Sequence, residues 1–130
     1  MILGAEMDPN FKLNKIGVVM LGIRDLASSV AFYRDKLGLR LASQFEGFAF
    51  FEGGGVTLAL SEGLARAHGS SGPLAGATEV VFSVDDVRAA HQALAERGVN
   101  FTHEPRVVSG PMWGANFNDP DGHGLSIFGP

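Results

Sequence analysis

The segment VVMLGIRDLASSVAFYRDKLG, residues 18–38, decides the fold because a strand pattern in it runs directly into a helix pattern. The β-branched apolar run Ile16–Ile23 is typical of a strand that is covered on both faces. Asp25 is a good helix N-cap, apolar residues recur at helical spacing over Leu26–Leu37, and Gly38 suits a left-handed C-cap. The segment therefore predicts a strand followed at once by a helix.

Three short strand patterns follow this helix: LRLASQF, FAFFE and VTLALS, separated by Gly47 and by the glycines at 53–55. Glycine at such breaks is typical of tight turns between antiparallel strands. We therefore predict a βαβββ module over residues 15–61. Residues 62–77 are rich in Gly, Ser and Ala and show no strand alternation, so we predict a surface linker there.

The pattern then starts again with EVVFSVDDV, residues 79–87. Matching Asp25 to Asp86, the second N-cap, gives an offset of 61 residues without a gap in the strands. The second helix is predicted to end at Gly98. Because each module alone would leave one sheet face bare, the repeat predicts that a second βαβββ module, residues 78–129, packs with the first.

The last part of the second module is predicted to contain a strand VNFTHE, a loop at 105–114, a strand ANFN, and a final strand GLSIF. The Asp-Pro-Asp-Gly sequence at 119–122 is strong turn chemistry, since Pro fixes φ and Gly supplies positive φ. The whole chain, residues 1–130, is thus predicted to be a single α+β domain built from two modules.

Composition excludes several classes of partner. The chain has 130 residues, 14 acidic against 10 basic side chains, and a net charge of −4, so it has no marked attraction for nucleic acid or an anionic membrane. The lack of cysteine excludes disulfides and thiolate metal sites. No apolar run is long enough for a membrane span or a signal-peptide core, so we expect a cytoplasmic protein.

The chain resembles the vicinal oxygen chelate superfamily in two stretches. The first is VVMLGIRDLASSVAFYRDKLGL, and the second is EVVFSVDDV together with the later GANFNDPDGHGLSIF. This group contains glyoxalases, bleomycin-resistance proteins and ring-cleaving dioxygenases. The resemblance implies a curled mixed sheet around one cavity, with the helices on the convex side. It also implies a homodimer.

Strand alternation predicts which side chains face the cavity, because neighbouring residues of a strand point to opposite faces. Room for a small-molecule ligand is left by the small residues on the inward side, namely Gly22, Ala59, Ser83 and Gly124. Trp113 is a candidate lid, and the sequence FAFF leaves open which of Phe45, Phe48, Phe50 and Phe51 point inward. The predicted cavity residues are Val18, Met20, Ala59, Glu79, Val81, Ser126 and Phe128.

The resemblance also implies where a divalent metal would bind, at four inward positions that here carry Val18, Ala59, Glu79 and Ser126. Only Glu79 is a ligand of the usual kind, whereas a protein metal site normally needs three or four. The histidines at 68, 91, 103 and 123 are not expected to rebuild the site. His123 should point away from the cavity, and His91, on the apolar stripe of the second helix, should be a partly buried packing residue. We therefore expect no metal and no cofactor.

Three functions remain open. The first is a binding protein that sequesters a hydrophobic or aromatic small molecule, with Glu79 as the polar anchor of the cavity. The second is a metal-dependent lyase, isomerase or dioxygenase, or an enzyme that uses Glu79 as its acid or base. The third is an interaction domain with a vestigial cavity. The lack of metal ligands favours the first function, and the ligand itself is not predicted.

Overall fold

A computed structural model describes residue 10 and residues 16–68 and 79–130. The elements fall within the two predicted module ranges, 15–61 and 78–129, with one additional helix between them. The first module contains β1 (Val18–Gly22), α1 (Leu26–Ala31) continued by a π-helical turn (Phe32–Lys36), β2 (Leu41–Phe45), β3 (Phe48–Glu52) and β4 (Thr57–Ser61). Then follow α2 (Glu62–His68), β5 (Glu79–Ser83), α3 (Val87–Glu96), β6 (Phe101–Ser109), β7 (Met112–Asn118) and β8 (Gly124–Gly129).

The strands form two separate four-stranded sheets, in the orders β1-β4-β3-β2 and β5-β8-β7-β6. In each sheet the first and last strands of the module pair in parallel, and the other pairs are antiparallel. The sequence prediction of an α+β fold with two βαβββ modules is confirmed. The two sheets are not closed on each other by strand pairing.

One hydrophobic core joins the helix sides of both modules. Tyr33 and Phe51 from the first module and Phe117 and Leu125 from the second are all buried in it. The helices contact the sheet faces that alternation assigned to them, and we call the opposite sheet faces the first and second concave faces. The sequence therefore correctly separated core residues from concave residues in most strands.

The turn between β7 and β8 fastens the second module to the first. Asp119 is buried and accepts a hydrogen bond from the Tyr33 hydroxyl at 2.8 Å, as well as bonds from two backbone N–H groups of its own turn. His123 Nε2 lies 2.6 Å from the Gly22 carbonyl oxygen, so the ring points away from the second concave face as predicted. Asp121 accepts from the Arg24 backbone N–H at 3.2 Å.

Two local predictions from the sequence were wrong, and a third was confirmed in position only. The predicted linker begins with helix α2, and its residues 69–77 lie outside the described part of the chain. The predicted loop at 105–114 is the β6–β7 hairpin, in which Pro105 is tolerated because β6 is an edge strand. Asp25 occupies the N-cap of α1 without capping it through its side chain, and Glu62 of α2 instead accepts from the Leu26 N–H at 2.9 Å.

Candidate functional site

The first concave face is apolar and aromatic. Strand pairing places Met20, Ala59 and Phe50 side by side across β1, β4 and β3, which means that the three share a face. Ala59 has no exposed surface, and Val18 lies two residues from Met20 on the same side of β1. The predicted cavity residues of the first module are therefore brought together.

The aromatic residues of β2 and β3 divide between the two faces of the sheet. Phe51 is fully buried and packs on Tyr33 in the core, with ring centroids 5.8 Å apart. Phe48 and Phe50 alternate with it and stack on the concave face at 6.2 Å with nearly parallel rings. Phe45 meets Phe50 edge to face at 6.1 Å. The question that the FAFF sequence left open is answered by this alternation: Phe45, Phe48 and Phe50 line the concave face.

Helix α2 covers one end of the first concave face. A Cβ atom at Gly22 would lie 3.0 Å from the backbone nitrogen of Ala65, and the buried Ser61 hydroxyl accepts from the Leu64 N–H at 3.0 Å. Gly22 was predicted to leave free space in the cavity. That space is in fact occupied by the close approach of α2.

The second concave face is polar where the first is aromatic. Glu79 lies on β5, and its Oε2 accepts a hydrogen bond from the Asn116 side-chain amide of β7 at 2.7 Å. Val81 and Ser126 are paired neighbours on β5 and β8, and Ser126 pairs in turn with Asn116. These four residues therefore share one face, and Phe128 continues it along β8.

Asn116 was not among the residues that the sequence predicted to line the cavity or to contact Glu79. Its position could have been predicted from the strand ANFN, where Ala115 and Phe117 alternate with Asn116 and Asn118. Buried Ala115 and Phe117 mark the core side, so the two asparagines belong to the concave side.

Trp113 is not brought to the concave surface. It shares the core side of β7 with Ala115 and Phe117 and packs against the core cluster. The Arg88 guanidinium of α3 lies over its ring, 4.4 Å from the centroid. The role of a lid is therefore incompatible with its position, because the sheet itself separates Trp113 from Glu79.

The residues at the four family metal positions do not fit a divalent ion. Val18 and Ala59 offer no donor atom, the Ser126 hydroxyl is a poor ligand, and Glu79 is already bonded to Asn116. Among the side chains described for residues 16–67 and 79–130, no three His, Asp or Glu are grouped closely enough to hold a metal.

The histidines occupy other places. The His91 ring packs edge to face on Phe101 at 4.4 Å, and its Nε2 lies 3.2 Å from Glu104. This is the packing role predicted for it. His103 is exposed on β6 and pairs with Asn116 across the strands, near Glu79. The structure does not describe the side chain of His68.

The strand order, the duplicated modules and the two concave faces correspond to a known family. A sequence profile of the Glyoxalase/Bleomycin resistance protein/Dioxygenase superfamily matches residues 15–127. The chain belongs to this superfamily. The resemblance drawn from the two repeated motifs is thereby confirmed.

Several solved structures are similar to this chain along nearly its whole length. A glyoxalase/bleomycin resistance protein/dioxygenase from Nocardioides is 29% identical, with a TM-score of 0.78, 93% of this chain covered and 86% of that one. A protein of unknown function from Agrobacterium tumefaciens C58 is 27% identical, with a TM-score of 0.74 and coverages of 95% and 99%. A lactoylglutathione lyase from Agrobacterium tumefaciens, at 21% identity, a TM-score of 0.74 and coverages of 90% and 94%, shares the fold.

Among the described residues, no helix is both long and apolar enough to span a membrane.

Proposed function

We propose that this chain is a glyoxalase/bleomycin-resistance-like binding protein that lacks the family metal site and sequesters a hydrophobic or aromatic small molecule. The observation that carries the proposal is the composition of the concave faces. Apolar residues stand at Val18 and Ala59, where the family places metal ligands, and the aromatic pair Phe48 and Phe50 lies on the same sheet face. Such a surface suits stacking of a flat ligand far better than coordination of an ion.

Glu79 is proposed as the polar anchor of that ligand. Its Oε2 is held by Asn116, and a carboxylate oxygen can accept more than one hydrogen bond. A ligand with a hydrogen-bond donor or a positive group would complete the set. We therefore propose a flat, partly apolar molecule with such a group directed at Glu79, and Val81, Ser126 and Phe128 as its neighbours.

The ligand site is proposed to be completed in a homodimer. Val18 is 49% exposed and Val81 52% exposed, and Met20, Phe45 and Phe48 are also exposed. On the first concave face these exposed residues form an apolar patch, which is typical of an interface or a ligand groove. In the dimer that we propose, the concave faces of one protomer are covered by those of its partner. The cytoplasmic location stays a prediction from the sequence.

The proposal is tested with 9-aminoacridine, a flat aromatic cation, by fluorescence titration. Glu79→Gln keeps the size of the side chain and removes its charge, so we expect affinity to fall by about 1–3 kcal/mol. Glu96→Gln, an exposed carboxylate change on α3, is the matched control and should leave affinity unchanged. Native mass spectrometry of gently purified protein would identify the natural ligand.

Two other results would replace the proposal. Stoichiometric metal that survives dialysis and is lost in Glu79→Ala would support the metal-dependent lyase, isomerase or dioxygenase alternative. Absence of a co-purified molecule, together with 9-aminoacridine affinity that is unaffected by Glu79→Gln and by Phe50→Ala, would support an interaction domain with a vestigial cavity.

A further inference from the structure

An apolar crevice of about 230 Å³ lies on the helix side of the molecule, apart from both concave faces. It is bounded by α3, by the core face of the second sheet and by the residues that follow the π-helical turn of the first module. Its lining side chains are all aliphatic or phenyl: Leu37, Leu39, Phe82, Val84, Ala90, Ala93, Leu94, Phe117 and Ile127.

The internal repeat explains why this crevice is present. The offset of 61 residues matches Phe32 to Ala93 and Tyr33 to Leu94. Backbone bonding supports the second match, because the Tyr33 carbonyl accepts from the Leu39 N–H at 2.9 Å and the Leu94 carbonyl accepts from the Val99 N–H at 3.0 Å. The first module has one more residue in this connection, which its π-helical turn accommodates.

In the first module the equivalent space is filled by two aromatic rings. Tyr33 has no exposed surface and Phe32 is 7% exposed, and their rings meet edge to face at 5.3 Å. Ala93 and Leu94 are much smaller in the second module. The crevice is open to solvent and Ala93 is itself exposed, so the second module leaves uncovered an apolar surface of the kind that the first module covers with two rings.

We propose that this crevice is a second ligand site, which takes an uncharged single aromatic ring or a hydrocarbon of similar size. A crevice lined only by aliphatic and phenyl side chains is stabilised when a hydrocarbon ring of matching size removes that apolar surface from water. The Tyr33 hydroxyl of the first module has an acceptor in Asp119, whereas the crevice lining offers no polar side chain. The site therefore favours a ring without a hydroxyl or a charge, unlike the ligand proposed for Glu79.

Toluene tests the proposal. In a ¹H–¹⁵N NMR titration of the full chain, we expect saturable shifts of the α3 amides around Ala90 and Leu94. Ala93→Phe restores the residue type of the first module and fills the crevice, so toluene affinity should fall at least about tenfold. Ala95→Phe adds the same ring to α3 at a residue that does not line the crevice and should leave the affinity unchanged.

Two further variants keep the test decisive. Leu94→Ala widens the crevice, so the affinity for naphthalene relative to toluene should rise even if Ala93→Phe does not fold. Phe50→Ala removes a ring from the first concave face and should not change toluene binding. Toluene shifts that are lost in Phe50→Ala and kept in Ala93→Phe, or no saturable shift on α3, would overturn the proposal. The outcome is independent of the 9-aminoacridine test.

Discussion

The two concave faces occupy equivalent positions in the repeat and carry opposite chemistry. On the first face, Met20 and Phe50 flank the buried Ala59, and the surface is apolar. On the second, Glu79 is bonded to Asn116. Similar backbones thus present either a stacking surface or a hydrogen-bonding one. The difference teaches that this fold fixes where a ligand can contact the sheets, while the side chains decide which ligand it is.

On the helix side of the sheets, the two modules also differ in the turn before their last strand. The β7–β8 turn of the second module bonds to the first through Asp119 and Tyr33. The corresponding turn of the first module, residues 53–56, consists of three glycines and Val56 and offers no polar side chain for such a bond. The contact between the modules is therefore asymmetric, although the modules are repeats. We expect its loss to destabilise the protein more than the loss of any contact on the concave faces.

Asp119→Ala should break this contact. The carboxylate is buried and accepts from a hydroxyl and two backbone N–H groups, which would all lose their partner. Loss of so many bonds to a buried charged group should lower the free energy of unfolding by about 3–4 kcal/mol. Urea unfolding measures the change. Asp85→Ala, an exposed aspartate next to β5, is the control, and an equal loss in both variants would contradict the prediction.

Phe48→Glu should weaken self-association. Phe48 stacks on Phe50 on the first concave face and is partly exposed in one chain. If that face is covered by a partner protomer, the substitution buries an unpaired charge, and we expect a loss of about 2 kcal/mol of dimerisation free energy. Sedimentation equilibrium gives the dissociation constant. Gln92→Glu adds the same charge on the exposed side of α3, and equal dimer stability in the two variants would refute the interface.

Tyr33 should make the chain unstable in alkali. Burial raises the pKa of its hydroxyl well above the ordinary value of 10.0, and the Asp119 carboxylate and its hydrogen bond raise it further. The folded state thus keeps a proton that the unfolded chain loses above about pH 10, so this stability is present below pH 10 and declines above it by about 1.4 kcal/mol per pH unit.

The alkaline prediction has a direct measurement, because Tyr33 is the single tyrosine of the chain. Phenolate absorbance should not rise until the protein unfolds, and both events should coincide. Tyr33→Phe should cost about 1 kcal/mol at neutral pH and should have a shallower loss of stability above pH 10 than the parent. Phenolate absorbance that rises with an ordinary pKa in the folded protein would show that the hydroxyl is not held as described.

The fold was predicted better than the site. The fold depends on local patterns of apolar residues and caps, whereas the site depends on contacts between residues that are distant in the sequence. Alternation and caps identified both modules and assigned Val18, Met20, Glu79 and Ser126 to the concave faces. The same alternation could have placed Trp113 on the core side, but the predicted loop at 105–114 concealed its strand. No local pattern could show these strands to be a hairpin, since edge prolines and glycines are also typical of loops.

Long-range contacts could not be read from the sequence. Helix α2 lies in a segment that is rich in Gly, Ser and Ala, so its contact with Gly22 depends on tertiary packing that propensity does not predict. The bond between Tyr33 and Asp119 joins residues 86 positions apart. Both are consequences of packing the two modules on one core, which the repeat indicated only in outline.

The smallest effect is expected for Asn116→Ala on the second concave face. The bond to Glu79 is short, 2.7 Å, but both side chains are in contact with solvent, and water can replace the lost donor. The free energy of unfolding should therefore change by no more than about 0.5 kcal/mol, far less than for Asp119→Ala.

Ligand affinity should respond to Asn116→Ala more than stability does, because the Glu79 carboxylate is held less firmly in place when it loses its partner. We expect 9-aminoacridine affinity to fall about threefold to fivefold, and less than in Glu79→Gln. Urea unfolding and the fluorescence titration measure the two effects on the same preparation. A loss of stability as large as that of Asp119→Ala, with unchanged affinity, would make the Glu79–Asn116 pair a structural contact and remove it from the ligand site.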